Sequence, residues 1–212
     1  MTNPDYTAIM LLIDRSGSMS AIRESAEAGI NEFIAAQAKD SNYKTIRIAQ
    51  FDNYYELVTP STNPACGMEP YKLVPRAATA LLDAMGRAIV EFGEELAAMP
   101  EDERPGTVIL AIMTDGLENA SREYSWDAIK EMVERQTNDY NWQVLYLGAN
   151  QDAIEVGSRM GIPRHNSMTY NSTDHGTRAV YDVFTTAVVA SASSGAPVTF
   201  SEEERKRVAD TK

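Results

Sequence analysis

Two short stretches of this chain gather oxygen-bearing side chains at a spacing that suits chemistry. Asp14-Arg15-Ser16-Gly17-Ser18 follows the apolar run YTAIMLLI (6–13), and Thr114-Asp115-Gly116 closes or follows a second apolar run, TVILAIMT (107–114). In an extended segment residues two apart point the same way, so Ser16 and Ser18 share a side. Gly17 between them permits a sharp turn. If the two runs are neighbouring strands, two carboxylates and two or more hydroxyls meet at one edge of a sheet. Carboxylates pressed together repel until one takes up a proton, and a divalent cation removes that conflict. Oxygen donors without imidazole or thiolate select Mg²⁺, Ca²⁺ or Mn²⁺ over zinc. Thr79, in RAATALLDAMGRAI, adds a hydroxyl just ahead of a helical stretch. It can cap that helix or reach the same ion, directly or through water. The plainer reading of all three stretches is polar turns with helix caps.

The surrounding elements decide whether these residues meet. Residues 6–13 are apolar without alternation, which predicts a strand buried on both faces. Ile22, Ala26, Ile30, Phe33 and Ile34 recur at helical spacing, which predicts a helix from Ala21 to Lys39 with Ser20 as its N-cap. KTIRIAQF (44–51), the turn Asp52-Asn53 and YYELVT (54–59) read as a hairpin, so one edge strand is antiparallel. Residues 60–76 hold Pro60, Pro64, Gly67, Pro70 and Pro75 and predict a long loop without regular structure, of a length that is often functional. A helix follows from about Ala80 to Met99, then an acidic connection and the strand 107–114. Ser125 caps a helix through about Gln136, and WQVLYL (142–147) is a third buried strand. Asp152 caps a short helix closed by Gly161; SMTY (167–170) is a last short strand and 174–192 a last helix.

This alternation predicts an α/β fold: a three-layer, Rossmann-like, doubly wound and mostly parallel sheet with one antiparallel edge strand. In such sheets ligands bind at the carboxyl ends of the strands, near the reversal of strand order, and Asp14 and Asp115 sit at such ends. Residues 1–195 form the domain, and 196–212 form a charged C-terminal tail, a solvated helix or frayed end.

Bulk properties narrow the function. With 212 residues, 43% of them hydrophobic, the chain can bury a full core. Its 19 basic and 31 acidic residues give a net charge of −12, which repels nucleic acid and anionic membrane. The single cysteine, Cys66, rules out an internal disulfide and points to a reducing, cytoplasmic setting. No signal peptide or transmembrane stretch is read. The Walker phosphate loop, the dinucleotide-binding G-x-G-x-x-G and the hydrolase G-x-S-x-G are absent, and His165 and His175 lie far in sequence from the other candidates. A haloacid-dehalogenase-like phosphatase would also place an aspartate where Asp14 stands, but its second acid falls on Ser16 here. The chain is therefore expected not to be an enzyme. A metal-dependent hydrolase or phosphatase using Asp14 is the alternative, and a purely structural role is a third.

DRSGSM after an apolar strand, TALLDA opening a helix and MTDG after a second apolar strand together resemble the von Willebrand factor type A (vWA) domain family. In order and spacing the resemblance covers roughly residues 6–160. It implies a metal-ion-dependent adhesion site (MIDAS) made by Asp14, Ser16, Ser18, Thr79 and Asp115, holding Mg²⁺, with Mn²⁺ or Ca²⁺ as substitutes. It also implies binding to a protein whose Asp or Glu completes the coordination, and it points to the intracellular bacterial or phage type. The second loop departs from the family: AAT stands where many members have glycines before the threonine.

Overall fold

A computed structural model describes residues 2–211. Six strands form one sheet: β1 (Asn3–Asp14), β2 (Tyr43–Phe51), β3 (Tyr55–Thr62), β4 (Pro105–Thr114), β5 (Gln143–Ala149) and β6 (Ser167–Tyr170). Their order is β3-β2-β1-β4-β5-β6, and every neighbouring pair is parallel except β2–β3. This is the doubly wound, mostly parallel sheet with an antiparallel edge strand that the sequence predicts. Strand order reverses between β1 and β4, where Ile13 pairs with Met113. Asp14 and Asp115 thus leave the sheet side by side at the reversal of strand order, where sheets of this kind bind ligands.

The apolar run of β1 serves both faces because successive side chains alternate. Ile9, Leu11 and Ile13 pack with α1 (Arg23–Lys39) and α5 (Asp174–Ser194). Ala8, Met10 and Leu12 pack with α2 (Leu81–Ala97), α3 (Trp126–Tyr140) and α4 (Ala153–Arg159). On the first face the Phe33 and Phe184 rings stack at 4.7 Å between centroids.

Several boundaries differ from the sequence reading, each for a local reason. Ser20 does not cap a helix. A 3₁₀ turn, Gly17–Ile22, runs straight into α1, so the helix receives its first turn from backbone and not from a hydroxyl. The 60–76 segment is less irregular than expected: β3 continues to Thr62, and a 3₁₀ turn spans Pro64–Cys66. Its second half is pinned to α1. Asn31 exchanges two hydrogen bonds with the Tyr71 backbone, Glu27 accepts from the Leu73 N–H, and both Tyr71 and Leu73 are buried. At the C-terminus, α6 (Glu202–Ala209) opens on a capping box at Ser201 and Glu204. Its charged residues face outward, but Val198, Phe200 and Val208 are buried in the same cluster as β1 and α5. Among the described residues no helix is long and apolar enough to cross a membrane.

Helices α1 and α5 approach closely at Gly29. A Cβ there would lie 2.5 Å from the Tyr181 ring, near the root of that side chain where it cannot swing away. Gly29→Ala gains up to ~1 kcal/mol of helix propensity, but overpacking costs about 1–3 kcal/mol. Net destabilisation is expected, read as a lower urea midpoint. A midpoint equal to or above wild type would contradict this close packing.

Candidate metal centre

The first loop is shaped by its own carboxylate. Asp14 is fully buried; its Oδ1 accepts from the Ser16 N–H (2.6 Å) and its Oδ2 from the Thr114 hydroxyl (2.5 Å). The turn that follows brings the Ser16 and Ser18 hydroxyls within 3.1 Å of each other. Ser18 then donates to Asp115 Oδ1 (2.5 Å), which joins the β1 loop to the β4 loop. Four of the five predicted residues are thus linked by direct hydrogen bonds.

Thr79 arrives by a different route. Its backbone N–H donates to the Asn119 side chain, and its carbonyl accepts from the Asn119 and Ala120 N–H groups. Its hydroxyl does not cap α2. Instead the loop after β4 caps that helix from outside: Glu118 accepts from the Leu82 N–H, and Ser121 from the Asp83 N–H. Asp83 returns the favour by accepting from the N–H groups of Arg122, Glu123 and Tyr124. Because helix capping falls to Glu118 and Ser121, the Thr79 hydroxyl is left to the site.

Gly116 shows how tightly these groups gather. A Cβ built on it would lie 2.9 Å from Thr79 Oγ1, 3.5 Å from Ser18 Oγ and 3.6 Å from Asp14 Oδ2. Only glycine leaves the oxygens facing one another without obstruction. Thr79, Ser18 and Asp14 therefore meet at one position, and Ser16 and Asp115 are joined to them through Ser18. The set holds two carboxylates and three hydroxyls, and among the described residues no three His, Cys, Asp or Glu side chains are grouped so as to hold a metal ion. Such a donor set fits a hard divalent cation and does not fit zinc.

The electrostatics agree. Burial pushes the Asp14 carboxyl up to about 6, against the hydrogen bonds from Thr114 and Ser16, and the charge of Asp115 adds to the rise. Burial also raises Asp115, against its bonds from Ser18 and Ser172. A carboxyl whose pKa is higher folded than unfolded costs stability once ionised. Without a cation that cost is absent below the ordinary carboxylate range and complete above about pH 6.

Other residues fall into supporting places. Arg15 is only 5% exposed: its Nε donates to Asp52 and its Nη1 pairs with Glu56. Asp152 caps α4, as expected. Gln151 donates to the Gly116 carbonyl (3.1 Å) and so ties the end of β5 to the site. Sequence reading missed one contributor, Ser172, and the partner of another, Thr114. Thr114 belonged to the quoted motif, yet its bond to Asp14 needed the β1–β4 register to be seen. Ser172 reaches Asp115 Oδ2 at 3.4 Å; its one signal was a hydroxyl just past the carboxyl end of a strand.

No protein-family model and no curated protein sequence matches this chain. Solved structures do. Proximal thread matrix protein 1 from the mussel byssus superposes with a TM-score of 0.62 at 14% identity, over 90% of this chain and 49% of that one. A von Willebrand factor type A protein from Catenulispora acidiphila gives 0.60 at 13%, over 86% and 42%. The vWF domain of the type V pili tip protein Mfa5 from Porphyromonas gingivalis gives 0.58 at 11%, over 89% and 96%. This chain thus spans about half the length of the first of these and nearly all of the isolated domain. At such identities the likeness is one of fold: the chain has the vWA-type α/β fold.

Asp115→Asn separates charge from structure. The amide keeps an acceptor for Ser18, and the Ser172 hydroxyl can turn to accept from the new NH₂. In chelator at neutral pH the variant is expected to lose no stability and to gain slightly, because burial raises the Asp115 pKa and its ionisation then costs stability. Thermal melts check this, and a large loss would make the role of Asp115 structural.

Proposed function

We propose that this chain is a metal-dependent protein-binding module of MIDAS type. A divalent cation, Mg²⁺ or in its place Mn²⁺ or Ca²⁺, is held by Asp14, Ser16, Ser18, Thr79 and Asp115. The observation that carries the reading is the convergence of Asp14, Ser18 and Thr79 oxygens beside Gly116, with Ser16 and the second buried carboxylate, Asp115, hydrogen-bonded to Ser18. When bound, the ion supplies a Lewis-acidic position open to an Asp or Glu of a partner protein. Three neutral hydroxyls in the set leave more of its charge unspent than a carboxylate cage would.

The rest of the site suits recognition. Leu117, next to Gly116, is 61% exposed and offers an apolar contact beside the incoming carboxylate. The net charge of −12 opposes an acidic partner at long range, so capture depends on short-range bonding and shape. We further propose that the module performs no reaction. Beyond the ligands the cluster presents neutral hydroxyls, and the place of a phosphatase's second acid is taken by Ser16.

Calorimetry with Mg²⁺, Mn²⁺ and Ca²⁺ tests the metal. Wild type is expected to bind and Asp14→Ala to fail while remaining folded. Saturation to about 100 times Kd is expected to stabilise the fold by ~2.7 kcal/mol. Capture of a partner from the native host is expected to vanish in chelator and to weaken in Leu117→Ala. Capture indifferent to chelator would favour a structural role. Phosphoester turnover lost in Asp14→Ala would favour the hydrolase.

A further inference from the structure

We infer that Asp52 is a positioning residue of this site: through Arg15 and Arg76 it holds the loop bearing Ser16 and Ser18 in register with the segment bearing Thr79. The inference rests on the metal-binding reading above and concerns residues that do not touch the ion.

Asp52 lies directly after β2, whose last residue, Phe51, pairs with Asp14. Its side chain is buried, and its Oδ2 accepts from Arg15 Nε (2.9 Å) and Arg76 Nε (2.6 Å). Oδ1 accepts from the Tyr54 N–H, and the Asp52 carbonyl accepts from the Ala80 N–H (2.8 Å). Arg15 sits between Asp14 and Ser16, and Arg76 lies three residues before Thr79. One carboxylate therefore grips both loops. The backbones are laced together at the same place: the Arg76 N–H donates to the Arg15 carbonyl (2.7 Å), and the Gly17 N–H to the Ala77 carbonyl (3.1 Å).

The Thr79 segment needs such a grip. Ala77 has φ 60°, in the left-handed region that a residue with a Cβ disfavours. Left to itself, the segment 76–80 would relax out of this course. Besides the bonds of Arg76 and Ala77 to the first loop and of Thr79 to Asn119 and Ala120, three tethers hold it to the turn after β2: Arg76 to the Asp52 carboxylate, Ala78 to the Asn53 side chain and Ala80 to the Asp52 carbonyl. Arg15 has no comparable alternative. It is buried, its Nη2 has no hydrogen-bond partner, and its other anion, Glu56, is half exposed. Burial works to raise the Asp52 pKa, yet the bonds from Arg76 and Tyr54 and the charges of both arginines hold it below the ordinary range. The carboxylate is thus kept charged in its place between the loops.

The test is calorimetric titration of the full chain with Mn²⁺, beside melts in chelator. Wild type binds. Asp52→Asn, which keeps the shape and the acceptor for Tyr54, is expected to bind about tenfold more weakly. Arg76→Gln, on a largely exposed side chain, shows a smaller loss in the same direction, and the double variant is no worse than Asp52→Asn alone. Adding Ala77→Gly to Asp52→Asn restores part of the affinity, because glycine holds the positive φ without a tether. A purely structural Asp52 would lower the melting temperature without that rescue. If wild type binds no Mn²⁺, the metal reading fails and this inference with it. If wild type binds and both Asp52→Asn and Arg76→Gln bind equally well, only the inference is overturned; should Asp52→Asn not fold, Arg76→Gln alone decides.

Discussion

Two buried carboxylates at the ends of adjacent parallel strands set the terms for everything around them. Asp14 and Asp115 are brought together by the parallel pairing of β1 with β4 at the sheet's centre. Burial makes each costly to ionise, and proximity adds to the cost for Asp14. The neighbouring groups answer that constraint. Hydroxyls from Thr114 and Ser18 and the Ser16 N–H donate to the carboxylates, and Gly116 keeps side-chain bulk out of the space they face.

Helices and loops extend the same logic outward. The loop after β4 caps α2 with Glu118 and Ser121, which removes from Thr79 the capping task its position would otherwise give it. Gln151 and Ser172, past the ends of β5 and β6, close the site from the far side of the sheet. The helical layers only need to hold the strands in register. Their contacts with β1 are apolar and alternate along it, so this part of the framework stays stiff without spending polar groups that the site requires.

Much of this was legible in the sequence because it depends on period and local chemistry. Unbroken apolar runs marked the buried strands, the Asp52-Asn53 turn marked the hairpin, and the five oxygen-bearing residues stood at strand and helix ends. What escaped depends on contacts between distant segments. Ser20 resembles an N-cap, but the chain enters α1 through a 3₁₀ turn that follows from the loop's bond to Asp14. Arg15 turns away from the ligand side, but that its partner is Asp52, 37 positions away, has no local signal. Tyr71 and Leu73 look like loop residues among prolines, and only α1 shows why they are buried. The charges of residues 202–207 mask an apolar side that Val198, Phe200 and Val208 reveal once β6 needs cover.

The central claim is that the oxygens around Gly116 form a cation site. Anomalous scattering from crystals grown with Mn²⁺ locates such an ion directly. A single strong peak is expected within bonding reach of the Asp14, Ser16, Ser18, Thr79 and Asp115 side chains or of waters they hold, and it should be absent in Asp14→Ala crystals. A wild-type map with no peak there, or with manganese only at exposed acidic residues elsewhere, would contradict it.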